Sequence, residues 1–397
     1  MDLSPFEPNK CDLCGDCFAV CPVVDMDREA GGAEMKRLIG GGRGGPVLSR
    51  CISCFACSAA CPKDLNVYGY VLSLWNEGRR GTNVPWHVRL ALPEQTPPNP
   101  WTEIEKAYSP EERRIFDGLG KDVRGGEALF LGCNQLLNPY VAASPLFEGL
   151  PIVGAPGVCC GEPYFRTGFL DAFKLSAARW LAHWRKRAPA RLIIYCTACY
   201  NMFTRVYPAV LGEEAPFEMI GVMDWIEERM GAGAVEIKSP LDRKVAIQDS
   251  CHARSLGKDF SDTARSLIEK TGATLIEPEG PLGLSNCCGF AAAARRFNPL
   301  DMWSHGTARV RDAKELGADE MAAYCNGCVL MLTFSSLLSP WKTRARHVTE
   351  LVELAAGMEV KKPHRQRALR IIPAVTRVAA AKILRPSSNR LVLGADQ

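Results

Sequence analysis

Eighteen cysteines run through this chain of 397 residues, and their spacing decides what it can fold around. Near the N-terminus Cys11, Cys14, Cys17 and Cys21 precede Pro22, and Cys51, Cys54, Cys57 and Cys61 precede Pro62, so each group reads C-x2-C-x2-C-x3-C-P. The other ten form two sets of five, each a lone cysteine, an adjacent pair followed by glycine, and a C-x-x-C: Cys133, Cys159, Cys160, Cys196 and Cys199, then Cys251, Cys287, Cys288, Cys325 and Cys328. A disulfide framework belongs to small exported chains, and Met1 to Lys10 carries no apolar leader. Zinc fails on detail, because neither the four-cysteine run nor an adjacent pair suits one tetrahedral ion.

The four-cysteine run is the one that two-cluster bacterial ferredoxins use to hold a [4Fe-4S] cubane, with the fourth cysteine ligating the other cluster. The expected sets are therefore Cys11, Cys14 and Cys17 with Cys61, and Cys51, Cys54 and Cys57 with Cys21. In an adjacent pair the Cα atoms lie about 3.8 Å apart, so both thiolates serve one cluster only by binding different irons or by bridging. Gly161 and Gly289, without a Cβ, let the backbone turn beside the metal.

Apolar residues make up 47% of the chain and charged ones 23%, the balance of a folded protein of two or three domains. No stretch approaches the eighteen or so uncharged apolar residues of a membrane span, so a cytoplasmic protein is expected, unless partners hold it at a membrane. The net charge of +4 hides an asymmetry: from Lys361 onward nine Lys or Arg face one acid, Asp396.

Residues 1–80 read as the two-cluster unit, with a flexible glycine-rich connector at Gly40 to Pro46 and a helix carrying Leu65, Tyr68, Val71, Leu72 and Trp75 that ends near Gly78. Residues 81–126 read as a proline-rich linker (Pro93, Pro97, Pro98, Pro100) and a short helix to about Leu119, opened by Ser109, Pro110 and Glu112 as a capping box. Two lobes follow, 127–232 and 233–358, and then a basic tail, 359–397. An offset of 129 residues carries Cys196 onto Cys325, and the same offset lays Met219, Ile220, Val222 and Met223 on Val348, Thr349, Leu351 and Val352. The lobes are thus expected to be copies of one unit.

Each copy reads as strand, cysteine turn, helix, strand, cysteine turn, helix. Strands are expected at 128–131, 151–153 and 191–195, then at 244–248, 274–276 and 320–324, with helices at 169–187, 261–270 and 300–316. Alternation of this kind argues a parallel sheet, with the cysteines beyond the carboxyl ends of the strands.

The ten-cysteine pattern is similar to the CCG domains of heterodisulfide reductases, and the whole layout over about residues 9 to 356 resembles their small ferredoxin subunit fused to their catalytic one. It also resembles the iron–sulfur subunits of glycolate oxidase and anaerobic glycerol-3-phosphate dehydrogenase. The run Gln248-Asp249-Ser250-Cys251-His252-Ala253-Arg254 is close to a D-x-C-H-x-x-R stretch common in that superfamily. The resemblance implies an α+β protein overall: a small helical two-[4Fe-4S] ferredoxin-type domain followed by two pseudo-symmetric α/β CCG lobes. It implies two cubanes, two noncubane [4Fe-4S] clusters in the five-cysteine sets, and a place in anaerobic metabolism. The spacing between Cys133 and Cys159, 25 residues against 35 between Cys251 and Cys287, departs from symmetry.

His252 is a candidate proton donor to a leaving thiolate, or else a packed, hydrogen-bonded histidine. Arg254 is a candidate for holding a substrate carboxylate or phosphate, or else structural. His183, Trp180 and Trp184 read as core or interface. The basic tail, with modest helical periodicity from Arg370 to Arg385, suits partner docking, contact with anionic lipid, or a frayed terminus. No nucleic-acid-binding module is present, and the glycines at Gly40 to Gly45, with no strand before them, do not make a flavin or nicotinamide fingerprint of the G-x-G-x-x-G kind. An FAD-containing flavoprotein partner and further iron–sulfur subunits are therefore expected. Three functions compete: reduction of a disulfide-type acceptor, passage of electrons from a flavin dehydrogenase to quinone, and relay within a flavin-based bifurcating complex of the class II benzoyl-CoA reductase type.

Overall fold

The computed structural model describes residues 2–384 apart from 81, 91, 93–98, 121, 122, 124, 134–136, 155–158, 279, 281–284, 291–298 and 362. Pro93, Pro97 and Pro98 of the expected linker therefore lie outside the described residues, as do Arg385, Arg390 and Asp396 of the tail.

Among the described residues eight strands form two parallel sheets of four. The first holds β1 (Glu127–Phe130), β2 (Ile152–Val153), β3 (Arg191–Ile194) and β4 (Glu218–Gly221) in the order β2-β1-β3-β4. The second holds β5 (Lys244–Gln248), β6 (Thr274–Ile276), β7 (Glu320–Ala323) and β8 (Arg344–His347) in the order β6-β5-β7-β8. The two sheets share one topology, and the protein is a helical ferredoxin-type unit followed by two α/β lobes. Parallel strands bury both faces, and the alternation shows it. Ala128, Phe130, Leu192 and Ile194 enter a core shared with the N-terminal unit, while Leu129, Ile193, Val245, Ile247 and Ala322 fill a second core between the lobes.

The lobes are related less simply than the sequence offset suggests. β3 pairs with β4 at Arg191–Glu218, and β7 with β8 at Glu320–Arg344. The first interval is thus 27 residues and the second 24, so Met219 is equivalent to Ala345 and Val222 to Val348. The ungapped match of Met219 with Val348 is corrected by three residues. A slip of three is nearly one helical turn, which is why the apolar residues still coincide. The first lobe spends part of its extra length on a π-helical stretch, Met202–Val206, just before Pro208. Proline lacks an N–H for the carbonyl four residues back and its ring crowds that carbonyl, and the wider turn relieves both.

Two proline-rich stretches turn out helical. Pro100 is the first residue of a helix, Pro100–Lys106, capped reciprocally by Asn99 and Thr102, which suits proline because the first helical N–H has no partner anyway. Ser109 and Glu112 form the expected capping box of the Pro110–Asp117 helix. The glycine-rich stretch is not a loose connector. It is a tight turn between helices Arg28–Ile39 and Gly45–Arg50, tied by a hydrogen bond that Arg37 Nη2 donates to the Gly44 carbonyl at 2.9 Å.

The basic tail is a docked helix, His364–Leu384. Ile371 and Ala374 pack with Trp101, Ile104 and Leu137. Arg367, only 2% exposed, pairs with the fully buried Glu112 at 2.9 Å and donates through Nε to the Leu137 carbonyl at 2.8 Å. Arg370 reaches the other Glu112 oxygen at 3.1 Å, and His364 meets Glu350 at 2.6 Å. Arg365 and Arg377 stay exposed.

Candidate metal centres

The N-terminal cysteines gather into two sets of four. Cys11, Cys14, Cys17 and Cys61 line one cavity together with Leu13, Gly15 and Pro62. Burial pushes the Cys17 thiol up to about 12, helped by the nearness of Cys11, Cys61 and Cys14. Cys57 is raised in the same way, by burial and then by Cys51, Cys54, Cys17 and Cys21, and Cys54 in turn acts on Cys21. Each run thus meets the fourth cysteine of the other, and Cys17 stands close enough to Cys57 to couple the sets. The two loops share one backbone path. Leu13 (φ 59°) and Gly15 (φ 80°) correspond to Ser53 (φ 58°) and Phe55 (φ 63°), all left-handed. Residues of this kind turn successive N–H groups to one side, a concavity suited to an anionic centre.

The five-cysteine sets sit where parallel strands end. Cys133 follows β1, Cys159 and Cys160 follow β2, and Cys196 and Cys199 follow β3. Cys251 follows β5, Cys287 and Cys288 come after β6, and Cys325 and Cys328 follow β7. Thiols touch in sequence within each set: Cys133 with Cys159, Cys159 with Cys160, Cys160 with Cys199, and likewise Cys287 with Cys288 and Cys288 with Cys328. Cys251 lies within electrostatic reach of Cys288 and Cys325. Thiol donors from Cys133 and Cys160 hold the Cys159 thiol well below its ordinary range, and those from Cys287 and Cys328 do the same for Cys288. Gly161 and Gly289 take φ of 74° and 100°, and their N–H groups donate to Cys159 Sγ at 3.4 Å and Cys287 Sγ at 3.3 Å. A Cβ on Gly289 would lie 2.3 Å from the Met302 carbonyl oxygen. Among the described residues no three His, Cys, Asp or Glu close on a point that one metal ion would occupy.

The second ferredoxin run abuts the second lobe. Ile52, Cys54, Ala56 and Cys287 form one buried cluster, with Val20 and Cys251 against it, and the Phe55 ring lies 5.6 Å from that of His252. A cavity of about 370 Å³ opens beside this junction, lined by Cys21, Ile52, Asn286, Cys287, His305 and Arg309 among others.

His252 is buried, with protein on both ring nitrogens. Nε2 lies 2.8 Å from Arg166 Nη2 and 3.3 Å from Glu162 Oε1, and Nδ1 lies 3.1 Å from the Asn201 amide. Arginine only donates, so Nε2 accepts and Nδ1 carries the proton, which the Asn201 oxygen receives once the amide is turned. That oxygen has no other partner. Burial lowers the His252 pKa, against the opposing charge of the nearby Glu162 carboxylate. This environment suits the packed, hydrogen-bonded alternative better than a free proton donor. Arg254, also buried, donates to the Ser285 carbonyl at 3.0 Å, where Asp249 also binds, accepting from Ser285 N at 3.0 Å and from Tyr324 Oη at 2.8 Å. The Asp249 to Arg254 run thereby braces the loop that carries Cys287. Trp180 and Trp184 are core residues around Phe130 and Phe203.

Arg166, Glu162 and Asn201 escape a reading of the sequence. Glu162 and Arg166 stand one turn apart directly after Gly161, a signal open to notice but without a stated partner. The Glu162 carboxyl is pushed up by burial, yet the Arg166 guanidinium above all outweighs this, and the carboxyl is held at about 2.

Residues 128–204 and 245–333 match the cysteine-rich CCG domain, and residues 5–62 the 4Fe-4S dicluster domain. The chain is similar to a component of the dihydromethanophenazine:CoB--CoM heterodisulfide reductase of Methanosarcina barkeri, 25% identical over 331 residues, with 78% of each chain covered. It is 24% identical over 326 residues to the same-named component in Methanosarcina mazei, again with 78% of each covered. A component of the fumarate reductase (CoM/CoB) of Methanothermobacter marburgensis is 24% identical over 351 residues, 81% of this chain and 66% of that protein. Among the described residues no helix is long and apolar enough to cross a membrane.

Proposed function

We propose, for a chain that belongs to the iron–sulfur oxidoreductase subunits joining a 4Fe-4S dicluster domain to CCG domains, that it carries electrons from a flavoprotein partner to a disulfide-type acceptor at its second lobe. Cys11, Cys14, Cys17 and Cys61 would hold one cubane, Cys51, Cys54, Cys57 and Cys21 the other, and each five-cysteine set a noncubane [4Fe-4S] cluster. Such clusters, when bound, supply one-electron chemistry at potentials that the surrounding protein sets. The observation that carries the reading is the packing of Ile52, Cys54 and Ala56 on Cys287, because it gives the ferredoxin-type unit one buried junction with the second lobe.

The residues suggest an order. Cys14 is exposed, so a partner meets the first set at the surface. Arg166 and the Asp249 knot fix the loops at the junction. The cavity beside Cys287 gives an acceptor room to approach, and His305 and Arg309, one turn apart on the Pro299–Glu315 helix, line it with donors. The quinone reading leans on the basic tail, and Arg367 and Arg370 are engaged internally by Glu112.

The test is anaerobic purification with metal analysis, where four clusters of four predict about sixteen irons per chain. Cys288→Ser should abolish reduction of a small organic disulfide by reduced viologen while the N-terminal centres still reduce. Iron near half that value with stoichiometric zinc, or full turnover in the variant, would overturn the reading.

A further inference from the structure

Arg166 belongs to the first lobe by sequence, yet most of its guanidinium bonds leave that lobe. Nε donates to Glu162. Nη1 donates to the Ser53 carbonyl at 2.8 Å, and Nη2 to Cys251 Sγ at 3.4 Å and to His252 Nε2 at 2.8 Å. Its own carbonyl accepts from Ser53 Oγ at 2.9 Å. One side chain, 7% exposed, thus ties the second ferredoxin run, the CCG turn of the first lobe and the lone cysteine of the second set.

We propose that Arg166 is a positioning residue that sets the reduction potential of the second-lobe centre and locks the second ferredoxin run against it. This rests on the reading that Cys251, Cys287, Cys288, Cys325 and Cys328 hold an iron–sulfur centre. One-electron reduction adds one negative charge to that centre. A guanidinium donating to Cys251 Sγ, in a site where water cannot screen it, favours the more negative form. Glu162 works in the opposite sense, because its carboxylate faces the same guanidinium and offsets part of its charge. The fork geometry matters as well as the charge, since one planar group serves a carboxylate, a carbonyl and a sulfur at once.

The experiment is a redox titration of the whole anaerobically purified protein, followed by electron paramagnetic resonance, with iron content measured for each variant. Arg166→Gln should make reduction of the second-lobe centre at least about tenfold less favourable, a shift of about 59 mV to more negative potential for one electron. Glu162→Gln should move the same centre to more positive potential, and Arg166→Lys should fall between Arg166→Gln and the unaltered protein. The signal of the cubane on Cys11, Cys14, Cys17 and Cys61, which Arg166 does not touch, should not move. An unchanged second-lobe potential in a fully loaded Arg166→Gln protein overturns the proposal. So does a shift of the same sign in Glu162→Gln, the mark of mere loosening. Where Arg166→Gln fails to load iron, the sign found for Glu162→Gln decides. A missing second-lobe signal in the unaltered protein would overturn the cluster assignment itself, and this proposal with it.

Discussion

Replacing Glu112 should release the C-terminal helix from the body of the protein. Its carboxylate is wholly buried and takes Arg367 Nη1 at 2.9 Å, Arg370 Nη1 at 3.1 Å and the Ser109 N–H at 2.7 Å. Arg370 is 42% exposed and can turn to water, but Arg367 cannot. Glu112→Ala leaves its guanidinium buried with the Leu137 carbonyl and the face of Tyr108, 5.1 Å away. Removing one partner of such a pair costs about 3–5 kcal/mol, most of it for the charge left behind. At about 1.4 kcal/mol per decade, opening of residues 364–384 should rise by roughly two to three and a half powers of ten. Hydrogen exchange of those amides, or protease cleavage around Lys361, reads this directly. Arg367→Met in the Glu112→Gln background should recover much of the loss, because it removes the stranded charge. Exchange within a few-fold of normal in Glu112→Ala, or a double variant whose loss equals the sum of the single ones, would refute the argument.

Three further substitutions probe the metal sets. Cys21→Ser should disturb the centre held by Cys51, Cys54 and Cys57 and spare that of Cys11, Cys14 and Cys17, while Cys61→Ser should do the reverse; spectra showing damage confined to the variant's own run would contradict the exchange of ligands. Gly132→Ala should empty the first five-cysteine set, because the new Cβ would stand 2.8 Å from Cys196 Cβ and 3.2 Å from Cys199 Sγ at φ 73°, and iron analysis should then show a loss of about four irons, with an unchanged value counting against this account.

What the sequence makes legible is local. The cysteine runs, the strand β5 at Lys244–Gln248 and the capping box at Ser109 each announce themselves within a few residues. What stays hidden depends on distant partners. Nothing near Arg166 points to Ser53 or Cys251, and nothing near Arg367 points to Glu112, so the tail reads as an arm that could dock on a partner, meet lipid or fray. Pro100 looks like linker because proline serves equally as a helix start, and only Asn99 and Thr102 distinguish the two. The three-residue slip between lobes is masked by helical periodicity, which repeats at almost that interval.

The core between the lobes is continuous, with Leu129 and Ile193 of one sheet meeting Val245, Ile247 and Ala322 of the other. Paired α/β units in many proteins clamp on a ligand by swinging about a hinge, and a hinge needs a wet, thinly packed seam. Here the seam is closely packed, and the C-terminal helix fastens it across the outside through the Leu137 carbonyl of the first lobe and Glu350 of the second. The packing therefore predicts that the distance between the two five-cysteine sets does not change when an acceptor binds. Traffic in and out must use openings that already exist, and turnover should lack the slow step that domain closure imposes.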